Sequence, residues 1–107
     1  MREARMIVTV IYPKTETSHF DLTYYLTSHM PLVDSLWRHH GLASARVLHG
    51  TGSLGGAPAF ELICMLEFPS REAFLGAAGA HADEIMGDIP RFTNVQPIIQ
   101  FNDVVAG

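Results

Sequence analysis

The sequence predicts an α+β sandwich, a four-stranded antiparallel sheet with two helices on one face, in the chain order β, α, β, β, α, β. Three observations predict it. Residues 6–12, 42–49, 59–68 and 92–104 read as strands, two amphipathic stretches that open after Asp21 and Ser70 fill the long intervals, and only a glycine-rich loop separates the middle strands.

The first strand, Met6-Ile7-Val8-Thr9-Val10-Ile11-Tyr12, is apolar or β-branched on both alternating faces, as a central strand covered from two sides requires. Pro13 and the polar residues through Ser18 end it. Asp21 can then cap a helix, with Phe20 and Tyr25 placed for a hydrophobic staple. Its apolar stripe runs from Leu22 through Tyr25, Leu26, His29, Val33, Leu36 and Trp37 to a stop at Gly41. Pro31 has no N–H for the Thr27 carbonyl, so a kink is expected near His29. Residues 42–49 form the second strand, and residues 50–58, with four glycines, lead back into the third at 59–68. There Phe60, Leu62, Cys64, Leu66 and Phe68 make one apolar face. Ser70 caps the second helix, whose stripe is Phe74, Ala77, Ala78, His81 and Ile85. Gly76, Gly79 and Gly87 weaken it, so a bend is expected near Ala80, and Pro90 closes it. The last strand, 92–104, contains Pro97 and is therefore placed at a sheet edge.

Right-handed crossovers turn this order into a ferredoxin-like βαββαβ sandwich with both helices on one side. One domain over residues 1–107 is expected at this length. Ile7, Ile11, Ile63 and Met65 would then leave the opposite sheet face apolar and wet, which predicts a homodimer formed by packing two sheet faces together. The composition agrees: 48% of residues are hydrophobic and 17% charged, more apolar than a chain this small needs for itself.

Net charge is −4, and the seven basic residues are scattered, which argues against nucleic acid as a partner. Cys64 is the single cysteine, so an intrachain disulfide and a cysteine-based zinc cluster are excluded. The charged start and the short run Met6-Ile7-Val8 fit neither a signal peptide nor a membrane span, and the expectation is a soluble, cytoplasmic protein without membrane contact.

Two segments resemble the signature of the ethyl tert-butyl ether degradation (EthD) family: Tyr24-Tyr25-Leu26-Thr27-Ser28-His29-Met30-Pro31-Leu32, and His81 through Asn94 followed by Pro97 and Gln100. The similarity extends from Met6 to about Val104. The resemblance implies a dimeric α+β barrel without a fixed cofactor. It also implies a setting in ether degradation beside a monooxygenase, or cofactor-independent chemistry on apolar ring compounds.

His29 is the first candidate for catalysis, because it lies on the buried stripe one turn from Tyr25, and an imidazole with an ordinary pKa near 6.5 suits acid or base work. The bland alternative is a packed core histidine. His81 holds the corresponding place on the second helix, where it either borders the same cavity or serves the helix end. Asp88 is expected to orient His81 or to sit in the turn before Pro90. Tyr12, Tyr25, Trp37 and Phe92 are candidate walls of a substrate pocket, Tyr12 and Tyr25 above all, with ordinary core packing as the alternative.

Three patterns are set aside. Gly50-Thr51-Gly52-Ser53-Leu54-Gly55 matches a dinucleotide fingerprint but leads through Pro58 into a strand rather than a helix. No metal is expected, since His81 with Asp83 and Glu84, or His39 with His40, completes no recognised ligand set. Cys64 alternates with apolar neighbours as a buried thiol does. Two functions remain: degradation or modification of a small apolar compound through His29, or non-catalytic binding of a hydrophobic ligand in the service of an oxygenase system.

Overall fold

The computed structural model describes residues 6–107. Its four strands are β1 (Met6–Pro13), β2 (Ser44–His49), β3 (Phe60–Phe68) and β4 (Ile98–Asp103), joined in the order β2-β3-β1-β4 with every neighbouring pair antiparallel. This is the ferredoxin-like arrangement, with β1 and β3 central and β2 and β4 at the edges. The side chains alternate as a strand requires: Val8, Leu62, Cys64, Leu66 and Phe68 are buried under the helices, and their neighbours in sequence face the other way.

The first helical arm consists of α1 (Leu22–Tyr24), a widened π turn at Tyr25–His29, α2 (Met30–Trp37) and a tight turn at Arg38–His40. The Asp21 carboxylate caps it by accepting from the Tyr24 N–H at 3.0 Å, and the Phe20 and Tyr25 rings meet at 5.3 Å as the staple predicts. The kink expected near His29 takes the form of the π turn. Pro31 has no N–H, and the Met30 N–H reaches back five residues to the Tyr25 carbonyl. Gly41 ends the arm with φ of 106°, a conformation in which a Cβ is strained and would also lie 3.1 Å from the Pro69 ring.

The second arm is α3 (Arg71–Asp88), capped by Ser70, whose hydroxyl accepts from the Ala73 N–H. Its bend falls at His81, where φ is −131° and ψ is 24°. The Trp37 indole N–H donates to the Ala77 carbonyl at 3.1 Å and ties the two arms together.

The final strand is shorter than the sequence predicts. Residues 92–97 are not strand, because the turn Ile89–Arg91 claims the N–H groups of Phe92 and Thr93, both bonded to the Ile89 carbonyl. The Phe92 carbonyl accepts from Asp21, while Thr93 and Asn94 bond to the backbone of residues 17–19, so pairing with β1 begins only beyond Pro97. Likewise the second strand starts at Ser44 rather than residue 42, the Leu42 N–H having turned back to the Trp37 carbonyl.

On the sheet face away from the helices, Leu48, Ile63, Ile11 and Ile98 stand in one register row across all four strands. Leu48 is 45% and Ile98 51% exposed. Among the described residues, no helix is long and apolar enough to cross a membrane.

Candidate functional site

Between the helical arms and the sheet lies a cavity of about 40 Å³. Val10 and Tyr12 of β1 and Cys64 of β3 form its floor, Tyr25, His29, Met30 and Trp37 one wall, and Ile85 and Met86 of α3 the other. Met86 and Ile99, both nearly half exposed, stand at the rim beside edge strand β4. No lining residue is a lysine, arginine or carboxylate, so the cavity favours an uncharged guest.

Its polar groups are few and neutral. Burial raises the Tyr12 and Tyr25 hydroxyls well above the ordinary tyrosine range, and burial also pushes the Cys64 thiol up.

His29 is 4% exposed and is the one imidazole in the lining. Its ring stacks on Tyr25 at 5.3 Å and meets Phe92 at 4.6 Å, contacts that fix its plane. Nδ1 lies 2.9 Å from Asp88 Oδ2, and Nε2 makes no hydrogen bond to any described residue. Burial lowers the pKa of the imidazole and outweighs the upward pull of Asp88, so at neutral pH the ring is uncharged. A neutral ring beside a carboxylate donates from Nδ1–H, which leaves the lone pair on Nε2.

Asp88 stands at the end of α3 with its side chain 12% exposed. Burial alone would raise its pKa, but hydrogen bonds from Tyr24 and His29, with the charge of Arg91, hold it below the ordinary carboxylate value. The Tyr24 hydroxyl donates to Oδ1 at 2.7 Å, and Arg91 Nε lies 3.7 Å from the same oxygen. One carboxylate thus joins the two helical arms.

Three residues, Asp88, His81 and Phe92, stand elsewhere than their functional readings placed them. Asp88 faces His29 and not His81, because the π turn carries His29 toward the end of α3 while the bend at His81 turns that ring elsewhere. His81 lies outside the cavity, with Nδ1 3.1 Å from Glu84 and its ring against His40. Phe92 also belongs to the core, 1% exposed and packed on Tyr12, Phe20 and Tyr25 as well as His29, rather than to the cavity lining. Tyr12, Tyr25 and Trp37 line the cavity. Tyr24 opens the EthD-like segment but carries no role in the sequence expectations, since no spacing rule links a residue of the first arm to a carboxylate 64 positions on. Among the described residues, no three His, Cys, Asp or Glu side chains are grouped to hold a metal ion.

No family model matches this chain, and no curated protein does either. Solved structures do. An EthD-like protein from Ralstonia eutropha JMP134 is 34% identical over 98% of this chain and 96% of its own, with a TM-score of 0.89. An EthD family protein from Bacillus halodurans C-125 is 18% identical over 92% and 96%, TM-score 0.63, and a dimeric ferredoxin-like protein from an uncultured marine organism is 14% identical over 98% and 99%, TM-score 0.61. The last two share the fold. Identity at the level of the first, sustained over almost the whole of both chains, shows that this chain belongs to the EthD-like family.

Proposed function

We propose that this protein removes or relays a proton on a small uncharged apolar compound, with His29 as general base. One observation carries the reading: a buried imidazole whose Nδ1 is engaged by Asp88 at 2.9 Å, and whose Nε2 has no partner among the described residues, lies in the wall of an apolar cavity. A base so placed is neutral at working pH and is held in one orientation before substrate arrives. The name of the family, ethyl tert-butyl ether degradation, fits the lining chemistry. A simple ether offers His29 no acidic hydrogen, however, so an ether-derived or cyclic carbonyl compound suits the base better. Tyr12 and Tyr25 are neutral donors for a carbonyl oxygen of such a guest. His81 has no role in this scheme.

The same reading takes the working form to be a homodimer built through the sheet faces. The row Leu48, Ile63, Ile11, Ile98 supports it, as does the likeness to a ferredoxin-like protein described as dimeric. A reducing cytoplasmic setting suits the free buried thiol of Cys64.

The test uses cyclopentanone in D₂O, with deuterium uptake beside the carbonyl followed by NMR. The wild-type protein is expected to accelerate exchange, and His29→Ala to abolish the acceleration. Equal exchange by the two proteins overturns the assignment. Line broadening of the ketone by both proteins without exchange favours the binding-module reading instead.

A further inference from the structure

Resting on the reading of His29 as base, we infer that Tyr24 is a positioning residue, which holds the Asp88 carboxylate so that the His29 lone pair stays on Nε2, toward the cavity. The Asp88 carboxylate has two oxygens with separate duties. Oδ2 receives His29 at 2.9 Å, and Oδ1 receives the Tyr24 hydroxyl at 2.7 Å, the shorter of the two contacts. A carboxylate gripped at one oxygen rotates about its bonds to the backbone. Gripped at both, from two side chains of the other helical arm, it has one orientation.

The groups around Asp88 are Tyr24 on α1, His29 on the π turn and Arg91 in the turn beyond α3. Arg91 is the competitor. Its side chain is 71% exposed and its Nε is 3.7 Å from Oδ1, beyond hydrogen-bond distance, yet it is the cation toward which a freed carboxylate would turn. Tyr24 occupies Oδ1 with a neutral donor and keeps Asp88 on the imidazole. Its ring lies nearly parallel to Phe92, with 24° between planes and centroids 6.3 Å apart, so the phenol is itself anchored. Without Tyr24, the Nδ1–H loses its fixed acceptor, and the ring proton is free to move to Nε2, which then presents the guest with an N–H in place of a lone pair.

The tautomer can be read without any substrate. Protein labelled with ¹⁵N at the ring nitrogens of its six histidines is examined by NMR at pH 7.5, and the His29 signals are identified by their loss in His29→Gln. The wild type is expected to show Nδ1 protonated and Nε2 bare. Tyr24→Phe keeps the ring and removes only the hydroxyl, and it is expected to raise the ratio of the Nε2–H to the Nδ1–H form about tenfold, the ratio one charge-assisted hydrogen bond of modest strength commands. Asp88→Asn is expected to shift the ratio in the same direction, and Arg91→Gln to leave it unchanged. If Tyr24→Phe keeps the wild-type pattern while Asp88→Asn loses it, the positioning role is overturned and the base assignment stands. If the wild type itself carries the proton on Nε2, the base assignment falls and the role of Tyr24 falls with it.

Discussion

Both helical arms break at a histidine, and the two breaks have opposite outcomes. In the first arm Pro31 removes a hydrogen-bond donor, the chain answers with a π turn, and His29 is carried inward to 4% exposure. In the second, the bend at His81 follows Gly76 and Gly79 and leaves the imidazole a quarter exposed, paired with Glu84 three residues away. Each imidazole has a carboxylate within hydrogen-bond reach. The carboxylate assigned to the proposed chemistry comes from another element, because a partner from across the fold is positioned by packing, whereas an i,i+3 partner on a wet surface is screened and mobile.

The sharpest way to break this contrast is to remove the ring that walls in His29. Phe92→Ala is expected to cost about 3–5 kcal/mol in urea unfolding, since Phe92 is 1% exposed and touches His29 and four other aromatic rings. His40→Ala, which removes the ring beside His81, is expected to cost under about 1 kcal/mol. A small loss at Phe92 would mean that the His29 environment is far looser than its contacts imply.

The carboxylates come next. Asp88→Asn weakens two hydrogen bonds to a largely buried group and is expected to cost about 2 kcal/mol, whereas Glu84→Gln is expected to change stability by less than about 0.5 kcal/mol. Equal costs would erase the distinction drawn between the two sites.

A third effect concerns pH. The folded protein holds His29 below its ordinary value of 6.5, so the unfolded chain takes up that proton first. Stability linked to His29 is therefore complete above about pH 6.5 and is lost as pH falls through the lower folded value, with a slope of at most about 1.4 kcal/mol per pH unit. Asp88, also lowered by its partners, adds a further loss below its ordinary 3.8. Urea midpoints measured from pH 7.5 to 4 are expected to fall less steeply in His29→Gln than in the wild type. Any general-base activity should show an acid limb at the folded value.

The smallest effect sharpens the comparison from the other side. A Cβ at Gly76 would meet no atom within 4 Å, so Gly76→Ala is expected to raise stability by about 0.5–1 kcal/mol through helix propensity alone. The His29 tautomer should not change. Destabilisation would show that the glycine serves a contact or a motion that the fold does not display.

Much of this architecture is legible in the residues. Asp21 and Ser70 cap where local hydrogen bonding predicts, Gly41 terminates where a left-handed residue is needed, and Pro31 and the glycines mark both breaks. The last strand was less legible. Val95 alternates well enough with its neighbours, but the backbone of Phe92, Thr93 and Asn94 is committed to the 17–21 segment, a long-range competition that periodicity does not report. Phe92 shows the same limit, since aromatic character marks it as buried without saying whether it faces a cavity or a neighbouring ring.

By itself the sequence determined the order of elements, the sheet's two apolar faces, the cap and break positions and the candidacy of His29, because these rest on bonds and side-chain periods that reach only a few residues along the chain. Which carboxylate meets that imidazole was decided by the tertiary structure alone. His81 is seven positions from Asp88 and His29 is 59, yet it is His29 that Asp88 contacts. The rotation introduced by the π turn, and the seating of both arms on one sheet, are set by packing the core as a whole, and no local pattern contains them.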